Sequence, residues 1–194
     1  MERYPLRQKI MRLTRMLFMA AVMVACVTQS LPACAQSAAE LDAAFRQYQS
    51  LNKQGKYGEA IPYAQTFIAL AEEKFGETHQ HYAVGLGNLA GLYYNQGRYA
   101  DAESLYKRSL AIKEKNLGPD HPKVAMSLNN LAWLYHAQSH YADAEPLYKR
   151  ALVIREKSLG PDHPSTGVSV NNLASLYRAQ GRYADAEPLY KRSR

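Results

Sequence analysis

From Asn88 onward, the apolar and polar positions of this chain repeat on two nested periods. The longer is 42 residues: Asn88, Asn130 and Asn172 open the strings NLAGLYYNQGRYADAESLYKRSL, NLAWLYHAQSHYADAEPLYKRAL and NLASLYRAQGRYADAEPLYKRSR. Residues 88–129 and 130–171 agree at 27 of 42 positions, more than shared composition explains, so the unit is structural. The shorter period is helical. Leu128, Leu131, Ala132 and Tyr135 follow i, i+3, i+4, i+7 and predict one face of a first helix. After a break at Gln138, Ser139 and His140, a second run keeps the same spacing toward Ser158: Tyr141, Ala144, Leu147, Tyr148, Ala151, Leu152, Ile154 and Arg155.

Each repeat is therefore expected to be an αα-hairpin. Ala132, Ala144 and Ala151 let its two helices approach, and Tyr135, Tyr141 and Tyr148 fill the gaps between hairpins. The segment LGPDHP, at 117–122 and 159–164, separates them. Gly118 and Gly160 suit a left-handed helix end, Pro122 and Pro164 the first turn of the next helix, and Asp or His its cap. Pro146 and Pro188 fall inside the second helix and are expected to bend it or delay its start; the position in phase with them is Ser104. A weaker copy (Tyr57, Ala60, Gly76, His79) lies one period before Tyr99, Ala102, Gly118 and His121. The array thus covers about 38–194, with repeats near 38–82, 83–124 and 125–166 and a partial one at 167–194.

The first 35 residues follow another pattern. Arg3, Arg7, Lys9, Arg12 and Arg15 precede an apolar run from Met16 through Val27, closed by Thr28, Gln29 and Ser30. About a dozen residues of helix reach about 18 Å, too short for a hydrocarbon core of about 30 Å, so a signal peptide is expected. Ala33 and Ala35 supply the small residues of a cleavage site, and the mature chain then starts at Gln36. Met11 is an alternative start. A second reading takes Leu31–Cys34 as a lipobox with Cys34 as a lipid anchor, Cys26 being a poorer candidate; a third leaves the leader uncleaved. All three export the array, to the periplasm, the medium or a membrane-attached form, with no membrane span once the leader is removed.

This boundary changes the composition. The whole chain of 194 residues has 24 Lys+Arg, 17 Asp+Glu, a net charge of +7 and mean hydropathy −0.42. Beyond residue 35 it has 19 basic and 16 acidic residues and no cysteine. No nucleic-acid partner, disulfide or thiolate metal site is therefore expected.

The Leu-Ala-x-x-Tyr, Gly-x-Tyr-x-x-Ala and Tyr-x-x-Ala elements resemble tetratricopeptide (TPR) repeats. The 42-residue length with LGPDHP resembles the kinesin light chain type, common in bacteria. The resemblance covers about 38–194 and implies an all-α solenoid, a right-handed superhelix whose concave side is lined by the first helices. Residues that avoid the core face are then Met126, Asn130, Trp133 and Ala137; Val84, Asn88, Gly91 and Asn95; and Val168, Asn172, Ser175 and Ala179. Asn88, Asn130 and Asn172 form a ladder. Amides donate and accept, so such a row holds an extended peptide without reading its sequence; kinesin light chain type grooves use matching asparagines in that way. The alternative is that these amides bond within the stack. Trp133 is either an anchor for a ligand side chain or packing between repeats, and Asn129, Asn171 and Asn95 complete the candidate peptide-binding set. His136 and Arg178 lie at its edge and are expected to be solvated.

Other chemistries fare worse. The inner positions Val84, Gly87, Met126, Asn129, Val168 and Asn171 lack the lysines and arginines with which co-chaperone TPR domains clamp a terminal carboxylate. His79, His121 and His163, with Asp120 and Asp162, lie one repeat apart and are expected to cap helices, so no metal site is assigned. Lys107, Arg108, Lys149, Arg150, Lys191 and Arg192 lie on the second helix, with Glu103, Glu145 and Glu187 four residues before each lysine, as in a solvated face. No phosphate loop, nucleophile motif or catalytic carboxylate pair is found. The expectation is a non-enzymatic scaffold without cofactors, binding a protein or peptide. The alternative is a structural, self-associating module, or one supporting a further domain, since the pattern stops at Arg194 part-way through a helix whose counterpart runs on to Ser158.

Overall fold

A computed structural model describes residues 33–192, with side chains from 38. The described residues form eight helices: α1 Ala33–Lys53, α2 Tyr57–Phe75, α3 Gln80–Asn95, α4 Tyr99–Leu117, α5 Pro122–Ala137, α6 Tyr141–Leu159, α7 Pro164–Ala179 and α8 Tyr183–Arg192. Residues 1–32 of the expected leader lie outside the described residues. Cys34, Ala35 and Gln36 belong to the first turns of α1.

The linkers act largely as the pattern predicts. His79, His121 and His163 cap α3, α5 and α7: each Nδ1 accepts from the backbone N–H two residues on, at 3.1–3.2 Å. Pro122 and Pro164 open their helices. Hairpins thus begin at these caps, three residues before the boundaries expected at 82, 124 and 166. Gly118 and Gly160 have φ of 84° and 91°, but ψ near 160° places them in an extended positive-φ region rather than the left-handed helical one. Pro146 does not delay its helix, since α6 starts at Tyr141 just as α4 starts at Tyr99. At the sixth position it removes a single intrahelical bond, and α2 carries Pro62 in the same way.

Within the compact unit Leu41–Arg194, α3 packs on α4, α5 on α6 and α7 on α8, and each hairpin packs on the next through α4–α5 and α6–α7. The first helices also touch directly, α3 with α5 and α5 with α7, whereas the second helices make no comparable contact. The closer row is the inner one, so α3, α5 and α7 line the inside of the stack. Ala132, Ala144 and Ala151 have no exposed surface, as close helix approach demands, and Tyr148 fills the space between α5, α6 and α7 with Val170, Leu173 and Leu176. Fully buried Leu128 and Leu134 each contribute about 2 kcal/mol of apolar burial.

The outer face is more connected than the i,i+4 rule alone implies. Lys107–Glu103, Lys149–Glu145 and Lys191–Glu187 pair as expected, at 2.6–2.7 Å. The adjacent arginines reach backward along the array instead: Arg108 to Glu77, Arg150 to Glu114 and Arg192 to Glu156. These exposed pairs fix register between hairpins and individually contribute about 0–1 kcal/mol.

Candidate functional site

The non-core stripe of the first helices faces open space. On α5, Met126 and Trp133 are 47% and 45% exposed, and Val168 on α7 is 54% exposed. Asn130, Ala137, Ala179 and Asn95 are exposed, while Val84, Asn88, Gly91, Asn172 and Ser175 are half-buried. None of α3, α5 and α7 carries an aspartate or glutamate.

The candidate asparagines separate into two kinds. The amides of Asn88 and Asn130 have no hydrogen-bond partner among the described residues, so both present free donors and acceptors along the inner row. Asn171 and Asn95 are exposed, as is Asn130. Asn129, in contrast, is only 6% exposed and belongs to the stack: its Nδ2 donates to Ala125 O at 3.2 Å and Ser169 Oγ at 3.1 Å. That placement removes it from the candidate groove set, because one residue of helix turns a side chain by about 100°. Asn172 is intermediate, half-buried and donating to Asn129 Oδ1 over a long 3.4 Å.

Trp133 forms one wall of a pocket of about 370 Å³ lined also by Tyr94, His136, Ala137, Ser139 and Tyr141. His136 is not a solvated edge residue. Half-buried, it meets Trp133, Tyr141 and Tyr148 edge to face at centroid distances of 5.7–6.4 Å. Burial first, then the charge of Arg178, lowers its proton affinity below the usual histidine range. Arg178 itself is exposed.

Beneath the stripe lies a buried polar layer that the sequence reading did not single out. Lys113 on α4 and Arg155 on α6, one period apart, are 5% and 9% exposed. Each points at a serine of the next first helix: Lys113 Nζ donates to Ser127 Oγ at 2.8 Å, and Arg155 Nη1 to Ser169 Oγ at 2.9 Å and Ser165 O at 2.7 Å. Ser109 Oγ donates to Ala83 O at 2.6 Å beside them. Arg155 falls on the apolar face of the sequence pattern, and a cation there in phase with Lys113 was the available signal.

A family model for the tetratricopeptide repeat matches residues 49–115, 82–157 and 141–194. The chain belongs to the tetratricopeptide repeat family. Among solved structures, this TPR array is similar to BtubC (BKLC) from P. vanneervenii, at 23% identity and a TM-score of 0.73 over 97% of this chain and 74% of that one. A candidate kinesin light chain with nearly identical TPR-like repeats from Podosopora anserina is 26% identical, with a TM-score of 0.68 over 81% and 73% of the two chains. Aspartyl phosphate phosphatase F from Bacillus subtilis shares the fold at 19% identity and a TM-score of 0.70, over 79% of this chain and 39% of that one. No curated protein matches the chain. The TPR fold is generally a non-enzymatic scaffold for protein–protein interaction, and that coarse role fits this chain. Among the described residues, no helix is long and apolar enough to cross a membrane.

Proposed function

We propose that this TPR array binds an extended peptide segment of a protein partner along the inner row of α3, α5 and α7, without catalysing a reaction. The observation that carries the reading is the pair of unpartnered amides, Asn88 and Asn130, in register on neighbouring helices. Each can pair with both N–H and C=O of a peptide backbone, and Asn172 extends the row. Exposed Met126, Trp133 and Val168 supply apolar contact beside them, with the Trp133 pocket alongside.

Selection of displayed random dodecapeptides on the full chain tests this. Wild type is expected to enrich binders, and an Asn88→Ala, Asn130→Ala, Asn172→Ala variant with unchanged helicity is expected to bind them at least about tenfold more weakly. Equal binding by the two proteins would refute the amide ladder. The basic, apolar leader supports export of the array, either cleaved before Gln36 or acylated at Cys34. Mass spectrometry of the N-terminus after bacterial expression separates these: a free Gln36, a lipid-bearing Cys34, or an intact leader, the last of which refutes cleavage.

A further inference from the structure

One linker departs from the other two. Where the later linkers have Leu117 and Leu159 before the glycine and Lys123 and Ser165 after the cap, the linker between α2 and α3 has Phe75 and His81. Phe75 and His79 stack at 4.5 Å between ring centroids, Phe75 and His81 at 5.1 Å, and the two imidazoles at 5.2 Å, while Phe67 meets His81 edge-on at 6.5 Å. Facing rings thus tie the end of α2 to the start of α3. Within the stack, His79 Nδ1 accepts the His81 backbone N–H at 3.2 Å. His121 and His163 make the same cap with no ring stacked on them among the described residues.

The cap works only while His79 Nδ1 has a lone pair. A protonated imidazole has two N–H donors and no acceptor, so its Nδ1 would face another donor at the partly positive end of a helix. Cations already surround the stack. Lys74 Nζ of α2 lies 5.5 Å from the centre of the Phe75 ring, Lys123 of α5 acts on His81, and Arg108 of α4 is paired with Glu77 of the linker. Asp42 of α1 is the carboxylate that opposes them at His81. Burial, then the charge of His79, lowers the proton affinity of His81 below the usual histidine range. The unfolded chain therefore takes up this proton first, so the stabilisation is whole above the ordinary histidine value of 6.5 and is lost as pH falls. The Phe75 face can favour one cation, but two imidazoliums 5.2 Å apart repel. We propose that Phe75, His79 and His81 form an acid-sensitive latch, which fixes α3 on α2 at neutral pH and frees the first turns of α3, the helix that carries Asn88, when the imidazoles are protonated.

Amide hydrogen exchange of the full chain at pH 7.5 and 5.5, expressed as protection after correction for the intrinsic pH dependence of exchange, tests the latch. Protection over residues 81–86 is expected to fall at least about tenfold on acidification. The equivalent turns at 123–128 and 165–170 have one capping imidazole each and are expected to change less. His81→Ser installs the residue that α7 has in phase, Ser165, and leaves the His79 cap in place. It is expected to reduce the loss in α3 to that of α7. His79→Asn supplies a capping acceptor that does not titrate and is expected to do the same. Equal losses in α3, α5 and α7 of the wild type would place the sensitivity in the shared caps and overturn the latch. A loss in α3 that survives His81→Ser would overturn it too. The comparison of three helices within the wild-type chain decides the matter even if a variant fails to fold.

Discussion

Two consecutive interfaces of this array are built from residues in register, yet they solve the same polar problem differently. Between α5/α6 and α7, Arg155 shares Ser169 with Asn129 and also donates to Ser165 O, so a buried cation is embedded in a closed network. Between α3/α4 and α5, Lys113 meets Ser127 alone beneath a glycine. The first arrangement is bonded like a structural element. The second leaves donors unused, so near-identical repeats hold a closed polar network at one interface and a single buried bond at the next.

Removing the cation from each interface sharpens that contrast most. Arg155→Ala removes the guanidinium bonds to Ser165 O and Ser169 Oγ, leaves Asn129 as the remaining donor to Ser169 and opens a cavity, and is expected to cost about 2–4 kcal/mol by urea unfolding at pH 7. Lys113→Met keeps the stem volume and removes an unpaired charge, and is expected to stabilise by about 1–3 kcal/mol. A loss of stability in Lys113→Met would mean that its bond to Ser127 outweighs the burial cost.

The same pair differs in pH response. Burial, then the charge of Lys123, pulls the Lys113 ammonium down to about 8 from a usual value of 10.5. Between these values the unfolded chain holds the proton that the folded chain has released, so stability rises with pH. Below about 8 both states are protonated and the full burial cost is present. Wild type is therefore expected to gain on Lys113→Met between pH 7.5 and 10, measured as the difference in urea midpoints; a constant difference would place the ammonium in contact with solvent.

Much of this architecture was legible in the sequence because period and punctuation act locally. The 42-residue spacing, the LGPDHP linkers and the i, i+3, i+4, i+7 faces set the hairpins and their caps; of the candidate stripe, Asn130 and Trp133 are exposed and Asn88 is half-buried. The failure at Asn129 is one of angular resolution: it adjoins Asn130 in the chain, but helix rotation turns it into the next hairpin. The Lys113–Ser127 and Arg155–Ser169 contacts join different helices 14 residues apart, and whether a cation or serine on an apolar face finds a partner depends on packing that local spacing does not encode.

The glycines of α3 separate packing from function within one helix. A β-carbon at Gly85 would fall 2.6 Å from Ile68 Cγ1 and 3.0 Å from Phe67 Cδ1, so Gly85→Ala is expected to cost about 1–2 kcal/mol after the better helix propensity of alanine is counted. At Gly91 the nearest atom is Tyr106 Oη at 3.5 Å, ordinary contact, so Gly91→Ala is expected to stabilise by up to about 1 kcal/mol. Thermal midpoints that move in the same direction for both would show that α2 and α3 reposition to absorb the methyl group.

The smallest effect concerns the turn inside each hairpin. Gly97 and Gly181 have φ of 75°, and the same position in the third hairpin holds Ser139 at φ 61°, the one described non-glycine residue with positive φ. A β-carbon in that conformation costs about 1–2 kcal/mol, while glycine gives back part of this through the entropy of the unfolded chain. The hydroxyl of Ser139 offers little compensation, since it accepts only an exposed 3.4 Å bond from Tyr141. Ser139→Gly is therefore expected to raise stability by about 0.5–1 kcal/mol, and Gly181→Ser to lower it by a similar amount. Opposite and matched shifts in urea midpoint would show that the α5–α6 turn carries the strain that its neighbours avoid; no gain from Ser139→Gly would show that the turn relaxes around serine.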